Sequence, residues 1–425
     1  MAQTSRETAV GRRAVLGALG AGALAGLTGC VGGIGSGTPQ VTFLQSKPEA
    51  ISYFGDLLDT FRAEHPGDLD LVHSTNVTTL SAGFARSNPP DLGCQNYNLE
   101  MARFQERGAL SNLSDVAERA NIAPAVQDLV DQYPTYPGRT SVIPYSMMGA
   151  AVLYNREIFA EHDLEVPTTY SEFLEVCDTL QEAGVTPLYS TLRDPWTIAQ
   201  GLVDYSVGGS IDVADFFSRL RGLGPDAGPD AEVSFSRNFR EPLEKMLTIA
   251  SYSQPGAASR GYGDGNLAFA TGEAAMYFQG PWALAEIEKT NPDAPVGVFP
   301  LPMTEDPADR RVRVNLDLAL WIPEQASAPE PASELLEFLI RPEIADPYNK
   351  ALNGFGVRAD APPTADPRLK DIQGYIDDAR FYQGVSTAIP KTIPYENYFQ
   401  AIVLGQNLES TLRTLDEDWA RRARR

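Results

Sequence analysis

An early hydrophobic pattern predicts a compact supersecondary unit. An apolar residue recurs every three or four positions, at Ile51, Phe54, Leu57, Leu58 and Phe61. This spacing is typical of a helix with one buried face. Residues 41–44 and 69–73 on either side form short apolar runs of the kind found in strands. The three segments together predict a β–α–β unit with two parallel strands.

A second stretch, residues 266–288, changes its periodicity twice. It predicts a short helix that ends at Gly272, then a strand, then a helix that starts after Gly280-Pro281. The strand is indicated by alternating apolar positions, which are Ala274, Met276 and Phe278. Glycine permits a tight turn, and proline at the first helical position has no N–H to lose. The turn directs Trp282 beyond the strand end, where α/β folds bind ligands, although a core tryptophan would fit the same pattern.

Polar side chains follow other predicted strands. Gln95, Asn96 and Asn98 come after the strand that opens at Pro90-Asp91-Leu92, and Asp194-Pro195-Trp196 follows the strand at 186–190. A carboxylate can bind hydroxyl groups, and an aromatic ring can pack against the face of a sugar. Amides at strand ends also make turns, so each of them could be a turn former instead.

Residues 312–322 form a longer predicted strand. Its partial alternation places Asn315 and Asp317 on one face. Both side chains could therefore meet the same ligand.

The first thirty residues predict export and should be kept apart from the fold. Arg12-Arg13 precedes an apolar run from Ala14 to Gly29, which ends at Cys30. Leu27-Thr28-Gly29-Cys30 resembles the lipobox of bacterial-type lipoproteins, and this resemblance implies that Cys30 carries a lipid. Residues 31–40 then predict a flexible tether, so that the working domain lies at the outer face of the cytoplasmic membrane.

Composition narrows the functional classes. A chain of 425 residues is long enough for two lobes, each with its own interior. The formal charge of -22, from 56 acidic and 34 basic residues, argues against nucleic-acid binding, which needs concentrated positive charge.

The cysteines and histidines lack metal-ligand spacing, so we expect no metal and no cofactor. They are Cys30, Cys94, Cys177, His65, His73 and His162. The sequence neither requires nor excludes a disulfide between Cys94 and Cys177.

Four stretches follow one another along the chain. They are Ile143-Pro144 through Tyr154-Asn155 and Phe159, the capping-box helix from Thr169 with its Asp194-Pro195-Trp196 loop, Phe269 through Gly280-Pro281-Trp282, and Gly297 with Pro300-Leu301-Pro302. In this order they resemble family 1 of the extracellular solute-binding proteins, the carbohydrate-importer class that contains the maltose-binding proteins.

This resemblance implies an α/β fold in the form of a two-lobed, periplasmic-binding-protein-like clamp. Each lobe would be a mostly parallel sheet flanked by helices, with the ligand in the cleft between the lobes. Lobe 1 would comprise residues 41–145 and 297–345, and lobe 2 residues 146–296 and 346–425.

The resemblance also implies a set of ligand-binding residues. Trp282 matches the family's sugar-stacking aromatic, and Asp194 and Trp196 match an acid and an aromatic that contact sugar. The full expected set is Gln45, Ser46, Lys47, Gln95, Asn96, Asn98, Met148, Asp194, Trp196, Trp282, Asn315, Asp317, Phe355, Arg358 and Phe399. Met148 stands where maltose-type relatives have a carboxylate, which argues against maltodextrin as the solute.

The leading hypothesis is a lipid-anchored, monomeric component of an ABC importer that binds a neutral mono- or oligosaccharide and delivers it to the permease transmembrane subunits. One alternative keeps the clamp but changes the solute to a polyamine, a phosphorylated polyol or chelated iron. Another is an exported glycosidase using Asp194 and Asp317, although nothing around them indicates acid–base work. The chain also lacks a Gly-x-Ser-x-Gly motif, so we expect no enzyme.

Overall fold

Nine strands lie in the part of the chain that the computed structural model describes, which is residues 40–65, 69–76 and 80–424. They are β1 Gln40–Leu44, β2 Asp70–Ser74, β3 Leu92–Gln95, β4 Ile143–Asn155, β5 Leu188–Tyr189, β6 Met276–Gln279, β7 Val296–Phe299, β8 Val312–Trp321 and β9 Phe381–Gln383. The predicted signal segment 1–30, its Cys30 and residues 31–39 of the tether lie outside the described residues.

The strands form one continuous mixed sheet in the order β2-β1-β3-β8-β4-β6-β5, with β7 on β4 and β9 on β8. The β1–β2, β1–β3, β5–β6 and β8–β9 pairs are parallel, and β1–β2 confirms the predicted β–α–β unit. The long strands β4 and β8 make antiparallel pairs with each other, with β3, and with β6 and β7. The expected mostly parallel arrangement therefore holds for the outer strands and for the β8–β9 pair, whereas the other pairs of β4 and β8 are antiparallel.

The two long strands join two lobes. The first part of β4, residues 143–150, pairs with β8, and its last part, residues 151–155, pairs with β6 and β7. A bulge near Ser146 bends β4 close to the crossing predicted at Pro144. β7 and β6 pair with the same last part of β4, on its opposite edges, so the pairing favours a second crossing within β8, later than the predicted boundary at residue 297.

Helices cover both faces of the sheet. They are α1 Ile51–Glu64, α2 Leu80–Ala85, α3 Leu99–Glu106, α4 Ser114–Ala120, α5 Pro124–Asp131, α6 Arg156–Glu161, α7 Tyr170–Glu182, α8 Pro195–Thr197, α9 Asp204–Ser210, α10 Val213–Gly222, α11 Phe235–Asn238, α12 Arg240–Ala250, α13 Tyr262–Ala270, α14 Trp282–Thr290, α15 Pro329–Leu339, α16 Pro342–Ala351, α17 Lys370–Asp377, α18 Tyr395–Val403 and α19 Leu408–Ala423. The predicted helix–strand–helix around residues 266–288 is α13, β6 and α14. No helix in the described ranges is both long and apolar enough to cross a membrane.

Large apolar clusters fill the two lobes. One packs α1 and α15 against β1 and β3, and a second packs α7, α9–α12 and α19 beside β6. A third spans β4, β6 and β8 and so continues from one lobe to the other. Cys94 and Cys177 are buried free thiols in different clusters, which excludes the disulfide left open above.

Candidate functional site

A cavity of about 300 Å³ lies where the ends of β1, β3, β6 and β9 meet the middle of β8. Its lining residues are Lys47, Glu49, Asn96, Tyr97, Asn98, Leu99, Glu100, Met148, Gln200, Trp282, Arg313, Asn315, Leu316, Asp317, Ser386, Thr387, Ile389, Lys391, Tyr395 and Glu396. Residues of both lobes thus face one space, which we call the cleft. Its volume is at the lower end of ligand pockets, about 300–1,000 Å³.

The lobe 1 wall is built around the carboxylate of Asp317 on β8. Lys47, in the loop after β1, places its Nζ 2.7 Å from both carboxylate oxygens of Asp317. The Tyr348 hydroxyl is 3.4 Å from the Asp317 Oδ2 atom. Burial raises the pKa of the Asp317 carboxyl above its usual value, and the Lys47 ammonium opposes this rise. The pair leaves neither charge free for a solute.

Two asparagines after β3 present opposite ends of their side-chain amides to the cleft. Asn96 donates its Nδ2 to the Asp317 backbone oxygen at 2.6 Å, which leaves its Oδ1 as an acceptor. Asn98 caps α3, because its Oδ1 accepts from the backbone N–H groups of Glu100 and Met101 at 3.0 and 3.3 Å. Its Nδ2 is then the end that can donate to a solute.

The opposite wall is Trp282, at the turn between β6 and α14. Its Nε1 donates to the Gln279 Oε1 at 2.9 Å, and its half-buried ring packs against both the cluster beside β6 and the cluster that spans β4, β6 and β8. A Cβ at Gly280 would lie 2.1 Å from the Trp282 ring, so only glycine lets the ring fold back onto the turn. The ring is therefore held in one orientation before a ligand arrives.

Arg313 lies at the centre of the cleft floor, although it was not among the predicted site residues. Its Nε and Nη2 are 3.2 and 3.1 Å from the Asp204 Oδ2, and its Nη1 donates to the Asn315 Oδ1 at 2.7 Å. Its guanidinium carbon lies 6.0 Å from the centre of the Trp282 ring. The sequence did indicate this position, because residues 313, 315 and 317 alternate along one strand and therefore point to the same face of the sheet as one another.

Asp204 is fully buried behind Arg313. Its carboxylate accepts from the backbone N–H and the hydroxyl of Ser386, at 2.9 and 2.7 Å. Burial raises the pKa of the Asp204 carboxyl, and the Arg313 guanidinium opposes the rise. The carboxylate thereby connects β8 to the loop after β9, which also lines the cleft.

Other residues that line the cleft belong to no sequence motif that predicted a site. Ser386, Thr387, Ile389, Lys391, Tyr395 and Glu396 come from the segment after β9. Gln200 lies in a π-helix, Ile198–Val203, and such wide turns are frequent at functional sites. Their approach to the cleft depends on contacts that are distant along the chain, so sequence spacing could not indicate it.

Seven of the predicted residues line the cleft. They are Lys47, Asn96, Asn98, Met148, Trp282, Asn315 and Asp317. These residues follow strand ends or lie on the long strands β4 and β8, as the sequence reasoning required.

Asp194 and Trp196 lie beside the cleft without lining it. The Asp194 Oδ2 accepts from the Tyr262 backbone N–H at 2.7 Å, and the Trp196 and Tyr262 rings are 5.1 Å apart. The Tyr262 hydroxyl in turn donates to the Trp282 backbone oxygen at 3.3 Å. Burial raises the pKa of Tyr262 to about 12, so this hydroxyl keeps its proton. The Trp196 ring thus packs against Tyr262, and Tyr262 is joined to Trp282 through the Trp282 backbone.

Three other predicted residues connect strands within lobe 1. Ser46 donates to the Gln95 Oε1 at 3.1 Å, and the Gln95 Nε2 donates to the Leu44 backbone oxygen. Gln45 is fully buried beside them, and its amide has no partner among the described residues. The hydrogen bonds of Ser46 and Gln95 support the loop that carries Lys47, and all three side chains lie outside the cleft.

Phe355, Arg358 and Phe399 also lie outside the cleft, and we drop them from the candidate site. Phe355 and Phe399 are 2% and 0% exposed and belong to the apolar clusters. Arg358 pairs with Asp346 and Asp360 at 2.8 and 3.0 Å. An aromatic residue near a turn has the same sequence signature in a core and in a site, which explains the two phenylalanines, and the ion pairs of Arg358 are with residues outside the cleft lining.

A two-lobed α/β clamp with an amide- and tryptophan-lined cleft defines a solute-binding protein. Residues 47–346 match the family described as bacterial extracellular solute-binding protein, and the chain belongs to this family. The family is one of binding proteins rather than of enzymes.

The proteins to which this chain is similar align with between half and nine-tenths of its length. An uncharacterized ABC transporter extracellular-binding protein of Pyrococcus horikoshii is 23% identical over 372 residues, which is 80% of this chain and 78% of the relative. A probable sugar-binding periplasmic protein of Rhizobium meliloti is 27% identical over 222 residues, about half of each chain, at 50% and 49%. The structure titled SBP RafE in complex with raffinose has a TM-score of 0.74 at 18% identity, covering 91% of this chain and 100% of that chain. These comparisons confirm the two-lobed fold.

Proposed function

We propose that this chain is the sugar-binding component of an ABC importer and that its solute is a neutral mono- or oligosaccharide. The observation that carries the proposal is the pairing, across one cleft, of a fixed tryptophan ring with oriented amides. Trp282 comes from one lobe, and Asn96 and Asn98 come from the other. A sugar combines an apolar ring face with hydroxyls that both donate and accept, and this combination fits such a cleft.

The expected affinity follows from ordinary magnitudes. A good hydrogen bond contributes about 1 kcal/mol net, so about six bonds together with stacking on Trp282 would reach roughly -8 kcal/mol. That free energy corresponds to a Kd of about 1 μM. Since the contacts come from both lobes, the solute would favour the closed arrangement of the clamp.

The relatives support a sugar as the solute. The Rhizobium meliloti relative is named as a probable sugar-binding protein, and the similar solved structure holds raffinose. The Trp196–Tyr262 ring pair lies beside the cleft and would offer a second aromatic surface if the solute is an oligosaccharide.

A thermal-shift screen of neutral mono- and oligosaccharides tests the proposal, with calorimetry on the hits. We expect at least one sugar to raise the melting temperature, because a ligand at about 100 times its Kd adds about 2.7 kcal/mol to the free energy of unfolding. A polyamine, a polyol phosphate and chelated iron serve as comparison solutes. Binding of one of these without binding of any sugar would contradict the proposal.

We further propose that the protein acts at the outer face of the cytoplasmic membrane, anchored through Cys30, and passes its solute to the permease subunits. The apolar run that ends at Leu27-Thr28-Gly29-Cys30 supports this location. Cell fractionation should find the full chain with membranes and a Cys30→Ser variant in the soluble fraction. A Cys94→Ser variant is the matched control and should stay with the membranes. Equal membrane association of the Cys30→Ser variant would contradict the anchor.

A further inference from the structure

We propose that Asp317 and Asp204 set the charge specificity of the cleft, because each holds one cleft cation in an internal ion pair and so excludes anionic solutes. This inference rests on the proposed function and deepens it by separating neutral sugars from sugar acids and sugar phosphates. It assigns a role to Asp204, which does not line the cleft itself.

The first internal pair is Lys47 with Asp317. Their side chains are 13% and 4% exposed, and the ammonium lies 2.7 Å from both carboxylate oxygens. Glu49, which is half exposed, lies 3.4 Å from the same ammonium. An anionic group entering here would have to displace Asp317 and leave that carboxylate buried without a partner, which is strongly unfavourable.

The second pair, Arg313 with Asp204, is more deeply enclosed. The two side chains are 2% and 0% exposed. A Cβ at Gly384 would lie 1.9 Å from the Asp204 Oδ2, so a glycine is needed for the carboxylate to approach the guanidinium this closely. Arg313 therefore lines the cleft while its charge is balanced from behind by Asp204.

The remaining charges of the cleft do not favour an anion. Glu49, Glu100 and Glu396 line it, and Lys391 is the one lining cation for which the described residues offer no ion pair. When Asp204 and Arg103, which pair with lining residues from outside the cleft, are counted as well, five carboxylates stand against four cations. A solute carboxylate or phosphate would therefore enter a net negative environment, which opposes its binding.

Removing one carboxylate at a time tests the inference. Asp317→Asn would leave Lys47 only its longer contact with the half-exposed Glu49. Asp204→Asn would remove the carboxylate partner of Arg313 without removing any cleft-lining side chain. Calorimetry with glucose, glucuronate, galactose, galacturonate and sulfate measures the consequence. We expect each variant to improve uronate binding, relative to the matching neutral sugar, by about tenfold over wild type. Sulfate binding should rise by about the same factor.

Asp416→Asn is the matched control. Asp416 is also a buried carboxylate, but it accepts from Ser236 and from the backbone N–H of Phe235, and it does not line the cleft. The Asp416→Asn variant changes the net charge of the protein by the same amount as the two test variants. It should keep the wild-type preference for neutral sugars over uronates. A gain of anion binding in Asp416→Asn as large as in the other variants would overturn the inference.

The outcomes separate this inference from the proposed function. Wild-type protein that binds a neutral sugar and its uronate equally well would overturn the inference alone. Unchanged uronate and sulfate binding in both variants would also overturn it. If no neutral sugar binds wild type, the proposed function fails, and the sulfate titrations still decide the charge argument. Circular dichroism checks folding first, and if Asp204→Asn does not fold, Asp317→Asn decides alone.

Discussion

Replacing Trp282 by alanine is expected to weaken sugar binding about 100-fold, which corresponds to about 2.8 kcal/mol. Trp282 is the one tryptophan among the residues that line the cleft, and the orientation of its ring is already fixed by Gln279 and Gly280. Truncation removes the stacking surface and admits water to the centre of the site. Calorimetric titration with the best sugar from the screen would measure the loss.

Two further variants make this prediction specific. Trp282→Phe retains an apolar ring and should lose much less affinity than Trp282→Ala. Tyr136→Ala removes an exposed aromatic that lies over Arg139 and does not line the cleft, so it should bind as wild type does. A Trp282→Ala protein that melts like wild type without ligand, yet binds sugar with unchanged affinity, would remove Trp282 from the site.

The parts of the site that sequence could predict are those fixed by local chain direction. Lys47, Asn96 and Trp282 each follow a strand, and a parallel strand end is a ligand position wherever the fold is α/β. Local patterns also predicted the helix–strand–helix that presents Trp282. In such places a short stretch of chain determines both the element and the side chain it presents.

The parts that sequence could not predict depend on distant contacts. Arg313 and Asp204 are 109 positions apart, and nothing near Asp204 in the chain indicates a partner. The segment that carries Ser386 reaches the cleft because its backbone and hydroxyl donate to that same carboxylate. The burial of an aromatic side chain is equally hard to predict from sequence. Phe399 was expected to bind the ligand, and it is a buried core residue.

The ion pairs show how the clamp can bind solutes at a crossing between lobes. β8 begins beside β4 and β9 and ends beside β3, and its alternate residues Arg313, Asn315 and Asp317 all face the cleft. Arg313 is tied to α9 and Asp317 to the loop after β1. One strand thus carries polar contacts anchored in both lobes, so that a solute on β8 is coupled to both.

Arg313→Met is expected to lower the free energy of unfolding by about 3–5 kcal/mol, because it leaves the Asp204 carboxylate buried without its counter-ion. Urea unfolding followed by circular dichroism would measure the change. Arg119→Met is the matched control, since Arg119 pairs with Glu337 at 2.7 Å but both side chains are about half exposed. Its cost should be below about 1 kcal/mol and should shrink in salt, whereas the cost at Arg313 should not. Adding Asp204→Asn to Arg313→Met removes the stranded charge and should restore much of the stability. Equal costs for the two arginine variants would mean that the buried pair contributes no more than a surface pair.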